Sequence, residues 1–219
     1  MSVAAEVPAW MAAVSALERV DCPVEDYLNM EIAMRSGLGS PPPEYPYASF
    51  GDFVLNHGER FPSAPLTPEE HLVVADAVEA ARRQCAFLRQ PFLALKGCFL
   101  NAALLAHTSE LRYTEGYAFC GSLVVMHAWV TVNGKVVDLT WGPKRNGHVP
   151  SHLDIGSPEA LAWDGDGGWE ARVLGTIPEG WAYYGVDLTD ELYESPNFGG
   201  SLIDNYADGM PLLRRPRKD

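Results

Sequence analysis

Apolar residues recur at helical spacing along the first third of the chain. Trp10, Val14 and Leu17 fall on one helical face after Pro8, which predicts an amphipathic helix to about Val20. Pro23 opens a second helix whose apolar face is marked by Tyr27, Met30 and Met34 and which Gly37 and Gly39 stop. In the run SPPPEYPY from Ser40 to Tyr47 the prolines fix φ and remove backbone donors, so an extended connection is expected. A short helix follows over about Phe50 to Asn56. Thr67, Pro68 and Glu70 form a T-x-x-E capping box with proline at the first helical position. Val74, Val78 and Ala81 carry the apolar stripe of that helix on towards Leu88.

After Gln90-Pro91 the pattern changes twice. CFLNAALLAH is apolar on nearly every side, which predicts a buried central helix opened by Cys98. From Arg112 the chain turns to β-branched and aromatic segments, RYTEGYAFC, SLVVMHAWVTV and KVVDLTW. The last two are separated by Asn133-Gly134, a strong short-range hairpin signal. Beyond Trp141 a stretch rich in Gly, Pro, His and Asp runs to about Glu170, followed by expected strands at ARVLGTI and WAYYGVDL and a short helix at ELYES. The expectation is one α+β domain over residues 1–219. Within it, residues 1–66 are helical and residues 67–141 are a catalytic core in which the Cys-bearing helix packs on an antiparallel sheet. Residues 142–219 complete that sheet.

Composition narrows the function classes. Sixteen Lys plus Arg stand against 29 Asp plus Glu, a formal net charge of −13, so the phosphates of a nucleic acid would meet a repelling field. The basic cluster Arg214, Arg215, Arg217 and Lys218 reads as a solvated tail. Four cysteines without C-x-x-C spacing suggest neither a disulfide scaffold nor a zinc ribbon, and fit a reducing, cytoplasmic compartment. VPAWMAAVSAL lacks a positive leading region and is flanked by Glu6 and Glu18, so neither a signal peptide nor a membrane span is expected. His148 and His152 have H-x3-H spacing near Asp154, but Gly147 and Pro150 oppose the helix that a metal site of this spacing would need. The DGDGG run from Asp164 lacks further calcium ligands at regular spacing and reads as a polar turn. No metal and no cofactor are expected.

Three residues are singled out for chemistry. Cys98 follows Gly97 at the start of the buried helix, where unpaired backbone N–H groups and the positive end of the dipole favour thiolate over thiol. The same N–H groups are positioned to stabilise an oxyanion on an attacked carbonyl. His127 lies in VVMHAWVTV and Asp138 in KVVDLTW. With Asn133 and Gly134 as the two-residue loop, Val132 pairs with Lys135, Trp129 with Asp138 and His127 with Thr140. His127 and Asp138 then share a face as diagonal neighbours, with Cβ atoms within roughly 8 Å. In that arrangement the imidazole takes the thiol proton and returns it to the leaving group, while the carboxylate holds the tautomer and stabilises the imidazolium.

The stretch KGCFLNA, LRYTEGYA and MHAWVTVNGKVVDLTW resembles the transglutaminase-like superfamily, a branch of the papain-like cysteine enzymes, and spans about a fifth of the 219 residues. In that family a Cys opens a central helix, a Gly-Tyr strand follows, and His-Ala-Trp and Asp-x-Thr lie on the next two strands. The resemblance implies Cys98 as nucleophile, His127 as general base and acid, and Asp138 as third member. Animal-type members are far longer and carry additional β domains and calcium sites, so protein cross-linking is not implied. The implied activity is acyl transfer on the amide of a peptide, protein or small molecule through a thioester, with hydrolysis as the default outcome and transfer to an amine as the variant. The alternative is an inactive binding module of the same fold that docks a protein partner through its acidic surface.

Further residues are candidates around the site. Asn101, one turn beyond Cys98, either hydrogen-bonds near the site or satisfies backbone in the core. Glu115 and Tyr117 share a strand face, where the carboxylate serves either a substrate amine or a structural hydrogen bond. Trp129 and Trp141 flank the proposed pair and either wall the cleft or pack the core. Gln84 and Gln90 precede the cysteine as candidate oxyanion donors.

Overall fold

The computed structural model describes residues 22–36, 46–47, 49–90, 92–93, 97–120, 123–140, 173–195 and 199–203. In chain order these form α1 (Pro23–Ser36), α2 (Phe50–His57), β1 (Glu59–Arg60), α3 (Pro68–Leu88), α4 (Cys98–His107), β2 (Arg112–Cys120), β3 (Val124–Val132), β4 (Lys135–Asp138), β5 (Val173–Leu174), β6 (Trp181–Asp187) and α5 (Thr189–Glu194). The class is α+β. Six strands in the order β1-β6-β2-β3-β4-β5, antiparallel throughout, curl into a half-barrel. The helix expected before residue 21 lies outside the described residues.

Alternation along the strands divides the core in two. Tyr113, Tyr117, Ala128, Val130 and Val137 pack under the helices with Ala102, Ala103, Leu105 and Ala106 of α4 and Val74, Ala77 and Ala81 of α3. Ala118, Trp129, Val136, Val173 and Tyr183 belong to a second cluster with Phe61 and Ile177. From Asn101 to Ala106 every residue of α4 is buried, as an apolar helix seated on a sheet must be. The apolar face of α1 differs from the expected one. Val24 and Leu28 are the buried residues, whereas Met30 and Met34 are 36% and 40% exposed. Apolar residues lie around much of that helix, so periodicity alone did not choose the face, and packing against α2, β2 and β6 did.

The hairpin between β3 and β4 turns through Asn133 at φ 49° and Gly134 at φ 73°, the two positive values of a type I′ turn, whose twist matches that of the flanking strands. Val132 pairs with Lys135, Thr131 with Val136 and Val130 with Val137, without a bulge. A second device fixes this hairpin from outside. At the start of α3 the Thr67 side chain accepts from the Glu70 N–H at 3.2 Å, and Glu70 Oε2 accepts from the Thr67 N–H at 2.7 Å, completing the capping box. The same carboxylate accepts from Lys135 Nζ at 2.7 Å and from Asn133 Nδ2 at 3.0 Å. One side chain thus joins a helix N-terminus to the hairpin tip.

At the sheet's centre two glycines face each other, Gly116 on β2 and Gly185 on β6. A Cβ on Gly116 would lie 2.1 Å from the Tyr184 carbonyl oxygen, and one on Gly185 would lie 2.7 Å from the Trp129 ring. The absent side chains let the strands approach and leave a seat for the indole.

Two stability measurements check these devices. The Lys135 and Asn133 hydrogen bonds, with that of the Thr67 backbone, hold Glu70 down to about 2 from its ordinary 4.5. A depressed carboxylate stabilises the fold above its unfolded value and loses that contribution as pH falls through the folded one. Glu70→Gln is therefore less stable than the parent at pH 7 in urea titrations, and the gap closes between pH 4.5 and 2. Gly185→Ala destabilises by about 1–3 kcal/mol in the same assay, because the added Cβ would meet the Glu115 carbonyl oxygen at 2.6 Å as well as the Trp129 ring at 2.7 Å.

Candidate active site

His127 and Asp138 reach one another because strand alternation puts them on the same face. His127 lies opposite Gly116 on β2, and Asp138 closes β4 after the paired Val130 and Val137. The result is a contact of 2.7 Å between His127 Nε2 and Asp138 Oδ2, with both side chains buried. The carboxylate has further donors. The Thr140 N–H donates to Oδ1 at 2.9 Å, and the Tyr183 hydroxyl donates to Oδ2 at 2.9 Å. A buried anion is tolerated only when donors surround it, and three elements supply them here.

Cys98 comes to the same ring from the N-terminus of α4, where Gly97 offers no side-chain cap to the first-turn N–H groups. The sulfur is a free thiol, partly exposed, and it lies near enough to His127 to help raise the proton affinity of the ring. Burial opposes charge on the imidazole, but the charge and hydrogen bond of Asp138, together with Cys98, outweigh it and push His127 up to about 10 from 6.5. Aromatic rings brace the imidazole. Trp129 stacks beside it with centroids 6.2 Å apart and planes at 24°, Tyr183 meets Trp129 edge-on at 5.1 Å, and Phe61 meets Trp129 edge-on at 5.6 Å.

The other sequence candidates separate clearly. Trp129 joins the site as the buried support of His127. Asn101 Nδ2 donates to Thr140 Oγ1 at 2.9 Å, so it ties the Cys-bearing helix to the residue that itself donates to Asp138. Glu115 pairs with Ala128, one residue out of phase with His127, and therefore points to the helical side of the sheet. There its carboxylate accepts from the Tyr113 hydroxyl at 2.7 Å, Ser201 Oγ at 2.7 Å and the N–H groups of Leu202 at 2.6 Å and Ile203 at 3.1 Å. Burial raises its pKa, and these hydrogen bonds pull the other way. It anchors a chain segment and leaves no lone pair turned towards the cysteine. Tyr117 is buried on that same side, 6.0 Å from Tyr27. Gln84 and Gln90 are exposed at the end of α3. Trp141, His148, His152, Asp154 and the DGDGG run lie outside the described residues. Among the described residues no three His, Cys, Asp or Glu side chains gather as a metal site, and no helix is long and apolar enough to cross a membrane.

Two features escaped sequence reasoning. Tyr183 is a partner of Asp138, yet its approach depends on β6 pairing with β2 across a long stretch of sequence; the only local signal was its place in the alternation of WAYYGVDL. A groove of about 490 Å³ opens between residues 60–63 and 177–182, and Phe61 and Trp129 stand between it and His127. No protein-family model, curated protein or solved structure matches the chain.

The ion pair makes a measurable claim. A histidine raised above its unfolded value stabilises the fold fully below 6.5 and loses that contribution as pH rises through the folded value near 10. Asp138→Asn keeps the shape and removes the charge, leaving burial to dominate. In that variant His127 is expected to titrate at or below 6.5 by NMR, and the alkaline loss of stability expected of the parent disappears.

Proposed function

We propose that this chain is a cysteine-dependent acyl-transfer enzyme that opens an amide through a thioester, with Cys98 as nucleophile, His127 as general base and acid, and Asp138 as orienter. One observation carries the reading: a buried imidazole has a carboxylate on Nε2 at 2.7 Å, and a partly exposed thiol at a helix N-terminus lies near enough to help raise its proton affinity. The order of a Cys-opened helix, a strand with Gly116-Tyr117, a His-Ala-Trp strand and an Asp-x-Thr strand supports a transglutaminase-like fold of the papain-like class.

The chemistry follows from the donors present. Nε2 is committed to Asp138, so Nδ1 is the nitrogen that takes the Cys98 proton. The sulfur then adds to the amide carbonyl carbon, and the oxygen that becomes negative lies within reach of the uncapped N–H groups of the first turn of α4. Collapse breaks the C–N bond. The imidazolium gives its proton to the departing amine, and the acyl group stays on sulfur as a thioester. Water adds to the thioester with His127 taking its proton, and the free thiol returns as the acid leaves. An amine acceptor in place of water yields a new amide. Substrates are peptides, proteins or small amides, and a nucleophilic thiol of this kind belongs in a reducing compartment such as the cytoplasm.

Thiol reactivity distinguishes this enzyme from a binding module. Cys22 and Cys85 are buried, and burial pushes both thiols up. An electrophilic probe for nucleophilic cysteines is expected to label the native chain at Cys98 and to lose that label in Cys98→Ala. Among peptides and small amides screened for turnover, Cys98→Ala has no activity and Asp138→Asn loses about 10²–10⁴-fold. Slow, equivalent reaction of all cysteines, or turnover that survives in Cys98→Ala, overturns the proposal and favours docking of a partner through the acidic surface.

A further inference from the structure

Tyr183 has no part in the bond-making steps above, yet its hydroxyl is spent on the atom that His127 uses. Asp138 Oδ2 accepts from His127 Nε2 at 2.7 Å and from Tyr183 at 2.9 Å, while Oδ1 takes the Thr140 N–H at 2.9 Å. The phenol is fully buried on β6, opposite Ala118, with its ring edge-on to Trp129 at 5.1 Å. A phenylalanine would fill that space equally well. A buried hydroxyl needs a partner, and the partner chosen here is the carboxylate beside the imidazole.

We propose that Tyr183 is a positioning residue that sets the proton affinity of His127 by sharing Asp138 Oδ2. The inference deepens the acyl-transfer reading, on which its catalytic meaning rests. A donor on a carboxylate oxygen draws off part of the negative charge that would otherwise act on the imidazolium. The phenol therefore restrains a histidine that the carboxylate would make still more basic. This matters for the second half of acylation, because an imidazolium that holds its proton too tightly is a poor acid towards the departing amine. The phenol also fixes the orientation of the carboxylate, since Oδ1 and Oδ2 are held by donors from different elements. Among the described residues Cys98 from α4, Asp138 from β4 and Tyr183 from β6 face His127, and β2 presents Gly116, which carries no charge.

The test is the titration of His127 followed by ¹⁵N NMR of its ring. It is made in the full chain carrying Cys98→Ala, so that thiol ionisation does not couple to the imidazole. Adding Tyr183→Phe is expected to raise the His127 pKa by about half a unit to one unit, a threefold to tenfold gain in proton affinity. Replacing Tyr183 by 3-fluorotyrosine, a stronger donor of nearly the same shape, is expected to lower it. An unchanged or reduced value in folded Tyr183→Phe overturns the proposal. Should that variant not fold, an unmoved titration in the fluorotyrosine protein overturns it instead. The readout needs no turnover, so it separates failure of this inference from failure of the cysteine chemistry, which probe labelling at Cys98 decides.

Discussion

The carboxylate of Asp138 is the anion around which the structure is arranged. A negative charge with 1% exposure persists only if the interior provides what water provided. Its own strand's continuation, the neighbouring strand's imidazole and a phenol from β6 do so together. Each of these donors must arrive at the right height, and that demand reaches outward through the fold. It requires the β3–β4 hairpin in one register, β6 beside β2, and a helix whose first residue ends level with the ring. Removing the hydrogen-bonded network would leave an uncompensated charge in a dry place, which is the costliest defect a small core can carry.

The local parts of this arrangement were legible because short-range chemistry decides them. Asn133-Gly134 is the pair best suited to two successive positive φ values, and from that turn alone the register and the shared face of His127 and Asp138 followed. Thr67-Pro68-Glu69-Glu70 announced a helix start for an equally local reason. Non-local choices were not legible. Nothing in the alternation of WAYYGVDL says that its strand inserts between β1 and β2, so the Tyr183 hydroxyl could not be assigned to Asp138. Nor does the capping box say that Glu70 also receives Asn133 and Lys135 from 63 and 65 residues away. The apolar face of α1 was read from periodicity where burial followed Val24 and Leu28. Glu115 shows the same limit from another side: its strand position gives burial, while three of its four partners come from residues 201–203.

The glycine pair explains how bulky rings fit beside a charged site. Gly185 lies against the Trp129 indole with Gly116 beside it on β2, and the lack of side chains there lets the strands approach and leaves room for the ring. The indole in turn stacks on His127, so the missing side chain of Gly185 bears on an imidazole two strands away. Among the described residues no helix packs on that face, so His127 is braced there by rings while Cys98 comes from α4.

The triple use of Glu70 has a dynamic corollary. A carboxylate that closes a helix N-terminus and simultaneously grips the tip of the β3–β4 hairpin leaves neither element able to fray alone. The first turns of α3 and the tip of the strand pair are thereby tied into one unit whose parts are expected to open together. His127 and Asp138 stand on the inner ends of the same two strands. Glu70 thus anchors, from outside the sheet, the strand pair that carries them.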